Sequence, residues 1–311
     1  MIEIRKYEQK DATVWDAFVD ASKNGTFMLK RGYMEYHSDR FEDNSLLFYN
    51  DDKLVALLPA SIHGNELRSH GGLTYGGMVV GNKMTVQLEL QLFGAMRTYL
   101  REHNISNLIY KRVPSIYCSY PSDEDLCALY RNDAKLVRRD VSCTIYQPEK
   151  YAFTERRRRG VKKAIKTGIV VKESDDFKTY MNLVADVLRI HHDAKPVHTS
   201  EEVELLAKRF PENIKLYAAF RDNEMLAGVL LYITPKVAHT QYIANSEEGR
   251  MCGALDAVMD FLINERYADK VYFDFGTSMG EGESYLNEGL ITQKQEFGGR
   301  VIVYDIYELK I

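Results

Sequence analysis

The sequence is poor in several things that would point to particular protein classes. Four cysteines (Cys118, Cys127, Cys143, Cys252) stand without C-x-x-C spacing or a regular framework, so no disulfide scaffold is expected and a reducing compartment suits them. No window approaches the roughly 18 uninterrupted apolar residues of a membrane span, so no membrane insertion is expected. The opening MIEIRKYEQK is charged and lacks the apolar centre of a signal peptide, which leaves the cytoplasm as the expected location. Positive charge is also in slight deficit. A formal net charge of −4 excludes a polyanion binder acting through its whole surface, and any nucleic-acid affinity would need a local patch.

What is present is ordinary globular material. Hydrophobic residues make up 45% and charged residues 28%, enough for real cores, and 311 residues exceed one typical domain. There are 21 tyrosines against a single tryptophan, Trp15. Tyrosine joins a large apolar body to a hydroxyl, which suits strand edges and half-wet grooves.

The second half of the chain gives the clearer pattern. Asp176 to His191 carries a 3.6-period apolar stripe and predicts a helix. A second helix opens on the capping box Thr199-Ser200-Glu201-Glu202 and stops at Phe210-Pro211. Lys215–Phe220 and Leu226–Ile233 read as a hairpin around Arg221 to Glu224, and Val237 to Ala244 as a third strand. A long helix from about Met251 to Arg266, a strand Val271–Phe275 and a last strand Arg300 to Tyr307 follow. The first half repeats this order loosely: helices at Asp11–Ala21 and Lys30–Phe41, a hairpin Leu46–Tyr49 with Leu54–Ala60, a helix Thr85 to His103, and a strand Asn107–Tyr110. The offset between the halves is near-constant at roughly 165–170 residues, which suggests duplication. The expected architecture is an α/β fold with an α+β mixed sheet, built from residues 1–150 and 151–311 with a groove between them.

The order of two helices, a hairpin, a third strand, a glycine-containing loop, a helix and a further strand resembles the GNAT acyltransferase layout. The match to FemAB-like proteins, with two such modules in one chain, is closer. It is carried by FTERRRRGVKKAIKTGIVV (Phe153–Val171), HTQYIANSEEGRMCGALDAVMDFLI, the strand ending VYFDFG, and GLITQKQEFGGR (Gly289–Arg300). The resemblance implies an acyltransferase whose donor, acetyl-CoA or another acyl-CoA, places its pyrophosphate at the loop before the long helix. Gly249, Arg250, Gly253 and Ala254 keep a degenerate form of the family's Q/R-x-x-G-x-G/A motif there. Free N–H groups and the positive end of the helix dipole would hold the phosphates, and a backbone N–H near Ala244 would hold the oxyanion. Lys294 falls where the family tends to carry a lysine beside the donor.

Other residues are candidates on their own chemistry. Acyl transfer to an amine needs a group that takes a proton. Asp274, alternating with apolar neighbours at a strand end, and His198, in the loop His191 to Thr199, are candidates for it. Tyr285 and Tyr242 could donate to a leaving group. Arg156 to Lys166 carries seven positive charges in eleven positions, and Arg159 represents a face that would bind phosphates or stay solvated. His192, Tyr242 and Tyr75, the last in the glycine-rich stretch Ser69 to Gly81, are expected to touch an acceptor. The spacing H-H-D-x4-H is no established zinc pattern, and no metal is expected. Three functions remain open at this point. One is transfer from an acyl-CoA to an amine-bearing small molecule, glycan or peptide precursor of the cell envelope. The second takes its acyl group from aminoacyl-tRNA, and the third is a non-catalytic protein that binds a glycan or phosphorylated ligand.

Overall fold

A computed structural model describes residues 1–192, 194–280 and 285–311, the side chains of residues 191 and 192 apart. The chain divides into two compact units, Met1–Asp140 with Val303–Ile311, and Val141–Ile302.

In chain order the first unit holds β1 (Ile2–Lys6), α1 (Ala12–Ala21), α2 (Arg31–Met34), β2 (Leu46–Asn50) and β3 (Lys53–Leu58). These are followed by β4 (Ser61–His63), β5 (Glu66–Arg68), β6 (Val79–Val80), α3 (Val86–Glu102), β7 (Asn107–Lys111) and α4 (Glu124–Arg131). Strand β8 (Lys135–Tyr146) leads to α5 (Glu155–Lys166), β9 (Val170–Ser174), α6 (Phe177–His192), α7 (Ser200–Arg209), β10 (Ile214–Arg221) and β11 (Glu224–Ile233). Then come β12 (Val237–Asn245), α8 (Glu247–Cys252), α9 (Ala254–Phe261), β13 (Tyr272–Thr277), α10 (Glu288–Glu296) and β14 (Arg300–Lys310). The mixed α/β fold expected from the pattern is the one observed, and β2, β3, α3 and β7 recur in the order of β10, β11, α9 and β13.

Local chemistry explains most boundaries. Both hairpins turn on residues that tolerate positive φ, Asp51-Asp52 and Asp222-Asn223, as two-residue turns that match strand twist require. The capping box at α7 forms as expected: Thr199 Oγ1 accepts from Glu202 N at 3.2 Å and Glu202 Oε2 accepts from Thr199 N at 2.9 Å. Two expected helices are shorter. Lys30–Phe41 yields only α2 and a single 3₁₀ turn. There the buried Arg31 guanidinium binds Glu35 at 2.9 Å and Asp43 at 2.6 Å and lies 3.6 Å from the Tyr7 ring centre, so side-chain anchoring outweighs helix extension. The helix expected from Met251 to Arg266 breaks at Gly253, whose φ is +81°, and its last turn, Leu262–Arg266, is a π-helix.

In the second unit the strands run β8-β13-β12-β11-β10-β9. Strands β12 and β13 are parallel, and the neighbouring pairs are antiparallel. Side chains alternate across the sheet. Val229, Leu231 and Ile233 of β11 join the core with Leu255, Val258 and Met259 of α9. Gly228 faces the other way, where an added Cβ would come within 2.7 Å of the Tyr180 ring of α6. Helices on both faces explain why LAGVLLYI is continuously apolar rather than alternating.

The first unit has its own core around Leu92, Phe93, Met96, Tyr110 and Leu129. Within it Glu89 of α3 is buried, and neither carboxyl oxygen has a partner among the described residues. Burial, then the charges of Asp125 and Glu124, push its pKa up to about 8, with Lys23 opposing. A carboxyl raised above its ordinary 4.5 stabilises the fold fully below that value and progressively less as pH rises toward about 8. Glu89→Gln should therefore change stability little at pH 5 but raise it by about 1–3 kcal/mol at pH 8.5. Urea unfolding at the two pH values measures the difference, and an equal effect at both would mean that Glu89 ionises normally.

Candidate active site

The site follows from how β12 and β13 part. Their parallel pairing covers Val237, Ala238 and His239 against Tyr272, Phe273 and Asp274, and ends there. Strand β12 continues to Asn245 beside β11, and β13 continues to Thr277 beside β8. Register irregularities fall at this level on both outer pairings, between Leu230 and Leu231 and between Asp274 and Thr277. Such bulges bend and twist strands apart. Beyond His239, alternate backbone N–H and C=O groups of β12 point away from β11 into the wedge, and Ala244 lies on this stretch.

On the α9 face the wedge opens into a cavity of about 460 Å³. Its apolar floor is Ile243, Leu255, Met259 and Phe275, and its polar rim includes Arg156, Arg250 and Gln293. Lys294, the expected donor-side lysine, lines it too, but its ammonium serves the protein. All three N–H bonds have acceptors: Gly276 O at 2.8 Å, Thr277 O at 2.7 Å and Ser278 Oγ at 3.0 Å. Burial lowers its pKa to about 8, while Asp274 and Cys143 raise it.

The expected backbone cradle for a pyrophosphate is not built. Between β12 and α9 the chain forms α8, capped by Ser246, whose hydroxyl accepts from Gly249 N at 2.9 Å. Arg250 N bonds Ser246 O and Gly253 N bonds Gly249 O, so these amides are already paired. Gly249 is small because of close packing: a Cβ there would lie 2.4 Å from Asn245 Oδ1 and 2.5 Å from Leu226 O. At Gly253 a Cβ would lie 2.3 Å from the Gly160 carbonyl oxygen, and Ala254 is buried. Helix α5 thus covers the start of α9, where a phosphate would have approached. Arg250 is exposed at the cavity rim with no ion pair among the described residues.

The basic run is divided by helix geometry. Arg157 points inward, binding Asp256 at 2.9 Å and Glu296 at 2.7 Å with Phe297 4.5 Å away, and so fastens α5 to α9 and α10. Arg158 and Arg159 are exposed and pair with Glu155.

The opposite face of the wedge holds a polar cluster. Asp274 is buried; its Oδ1 accepts from Ser142 Oγ at 2.8 Å and Thr144 Oγ1 at 2.7 Å, and its Oδ2 lies 2.7 Å from His239 Nδ1. Burial, the largest influence, opposes ionisation. The bond and charge of His239 together with the Thr144 and Ser142 bonds outweigh it, and the carboxyl stays well below its usual range. A carboxylate held this firmly is a poor base, which corrects the role expected for Asp274. His198 and Tyr242 do meet: His198 Nδ1 is 2.8 Å from the Tyr242 hydroxyl, which also accepts from His198 N at 3.2 Å. The Tyr180 hydroxyl lies 2.8 Å from the Tyr242 carbonyl oxygen.

Other expectations are not met by the geometry. Tyr285 is 61% exposed and packs its ring against Gly280. Tyr75 is buried in the first unit, its hydroxyl donating to Thr26 Oγ1 at 3.1 Å, so it cannot reach a ligand without repacking that core. The His192 side chain lies outside the described residues. Pattern reading missed His239, Ser142 and Thr144. Their signal was the polar alternation of Ser142-Cys143-Thr144-Ile145 and a histidine inside an otherwise apolar strand.

Residues 152–285 match the acetyltransferase (GNAT) domain family. A search of curated protein sequences gives no match. Among solved structures, FemX is 13% identical with a TM-score of 0.71, covering 99% of this chain and 97% of its own. L-PGS from Bacillus licheniformis is 11% identical with a TM-score of 0.64 (98% and 92% covered). A tandem GNAT protein from the clavulanic acid biosynthesis pathway is 12% identical with a TM-score of 0.51 (100% and 98% covered).

If Gly253 serves packing, Gly253→Ala should cost about 2–4 kcal/mol, from the left-handed backbone plus the clash with Gly160. Denaturant unfolding without any ligand measures it. A variant of normal stability would return Gly253 to the role of a ligand contact. The chain shares the FemAB-like tandem GNAT fold, and its residues 152–285 match the acetyltransferase (GNAT) domain family.

Proposed function

We propose that the chain is an N-acyltransferase moving an acyl or aminoacyl group from an acyl-CoA-like donor to an amine on an amino sugar or peptide precursor of the cell envelope. One observation carries the reading. Strands β12 and β13 part over a cavity lined by Ile243, Leu255, Met259 and Phe275, which lie in the segment that matches the GNAT family. An extended arm can run along the open edge of β12, exchanging backbone hydrogen bonds as an added strand would. The residues present fit such a donor in an altered way, with its phosphates meeting the side chains of Arg156 and Arg250 rather than the amides of Gly249 to Ala254. When bound, the donor supplies a thioester carbonyl. The open edge of β12 around Ala244 supplies N–H groups for the oxygen of that carbonyl as charge develops on it.

Calorimetric titration with acetyl-CoA should give micromolar affinity, weakened by roughly tenfold or more in Arg250→Glu, the loss of one charge-assisted phosphate contact. A wild-type protein that binds neither acetyl-CoA nor longer acyl-CoAs would sink the coenzyme donor.

A second reading takes aminoacyl-tRNA as donor, and the exposed basic face of α5 favours it. The name of a neighbour, a putative lysylphosphatidylglycerol synthetase from Agrobacterium fabrum, also refers to an aminoacylated product. Reversing Arg158 and Arg159 to Glu should then abolish retention of tRNA in a filter assay at low salt while leaving acetyl-CoA affinity unchanged. Equal retention by both proteins would identify the basic run as a solvated face.

A further inference from the structure

His239 is tied to the wedge by strand register. Thr144 of β8, Asp274 of β13 and His239 of β12 are direct cross-strand partners, forming one lateral row across three strands. That row is the last in which β12 and β13 are paired, so the imidazole stands at the apex of the wedge. It lies on the sheet face opposite the cavity, because its neighbours Ala238 and Thr240 pair with Ile233 and Leu231, which alternate with its own partner Tyr232. The ring is nearly buried, at 8% exposure.

Resting on the acyltransferase reading, we propose that His239 is the general base of the reaction and that Asp274, with Ser142 and Thr144, is its positioning group. The carboxylate accepts three hydrogen bonds, and the one at 2.7 Å keeps a proton on His239 Nδ1, so that the neutral ring, the form that acts as a base, carries its lone pair on Nε2. A donor arm in the cavity brings its acyl carbon to the apex from one face, and an amine meets it from the other. The amine nitrogen attacks that carbon, a C–N bond forms and the C–S bond breaks. The proton lost by nitrogen passes to Nε2, and the thiolate leaves to be protonated by solvent. On the α6 side the buried His198 and the half-buried Tyr242 are joined at 2.8 Å, and they would meet the incoming amine. A structural pin could have used any row of the sheet. This one occupies the row where the reacting atoms must meet.

Among the described residues, the titratable groups beside His239 in this row are its cross-strand partners Tyr232 on β11 and Asp274 on β13; Lys294 of α10 and Cys143 of β8 interact with that carboxylate. The test uses His239→Asn, whose amide keeps a donor at the position of Nδ1 and removes Nε2. Release of coenzyme A from acetyl-CoA is followed with glucosamine or glycylglycine as probe amine, alongside calorimetric binding of acetyl-CoA. The expected result is unchanged unfolding temperature, acetyl-CoA affinity within about threefold of wild type, and kcat lower by roughly 10²–10⁴-fold with loss of the acidic limb of its pH profile. Activity within about threefold of wild type overturns the assignment. A separate measurement stands free of the donor: ¹⁵N-histidine spectra of the ligand-free protein should show His239 as the Nδ1–H tautomer. An imidazole in the Nε2–H form overturns the proposal even where acetyl-CoA binds. Failure of acetyl-CoA to bind, with the expected tautomer present, counts instead against the coenzyme donor.

Discussion

Two parallel strands that stay together for three residues and then part impose the constraint on which the second unit depends. Backbone groups on the inner edges lose their partners at that point, and buried groups without partners are costly. On β13 the demand is met from within: Lys294 reaches from α10 to the carbonyls of Gly276 and Thr277, and Ser278 N bonds Val141 O at 2.7 Å. On β12 the edge remains open to the cavity. The same lysine that closes one side of the wedge therefore leaves the other as the side available to a ligand. This explains why a buried ammonium is kept despite its desolvation.

The first unit solves a related problem with a similar device. Lys111, at the end of β7, donates to the carbonyls of His70, Gly71 and Leu73 at 3.2, 3.0 and 2.8 Å, and burial, with Arg68 and Arg138, lowers its pKa to about 8. The glycine-rich loop is thereby folded down onto its own unit. Its glycines serve close approach: a Cβ on Gly72 would lie 2.3 Å from His37 Nε2 and 2.5 Å from the Phe41 ring. A stretch that reads as a mobile acceptor loop is a packed one, with Tyr75 inside.

The sequence made the element order legible because hairpin turns, the Thr199 capping box and the stripe of α6 are local signals. It did not reveal the break at Gly253, since a glycine between two helical stretches reads equally as a loop, a cap or a tolerated interruption. Only the approach of Gly160 from a distant helix decides among them. Asp274 was visible as an unusual residue, but its role depends on Ser142, Thr144 and His239. Two of these precede it by more than a hundred residues, and none shares a motif with it. Cross-strand rows are set by register, which one strand's sequence does not contain.

The basic run shows how a single composition signal can hold two functions. Seven positive charges suggest one phosphate-binding face, yet a 12-residue helix turns each successive side chain by about 100°. Arg157 falls on the buried side, where Asp256 and Glu296 neutralise it and Phe297 packs against it. This interaction brings Gly160 onto Gly253 and shuts the backbone cradle at the start of α9. Packing one arginine of the run inward thus removes the usual main-chain site for phosphate. At the same time it presents Arg156 at the cavity rim. The polar groups that this packing leaves at the cavity rim are side chains, Arg156 and Arg250, rather than main-chain amides.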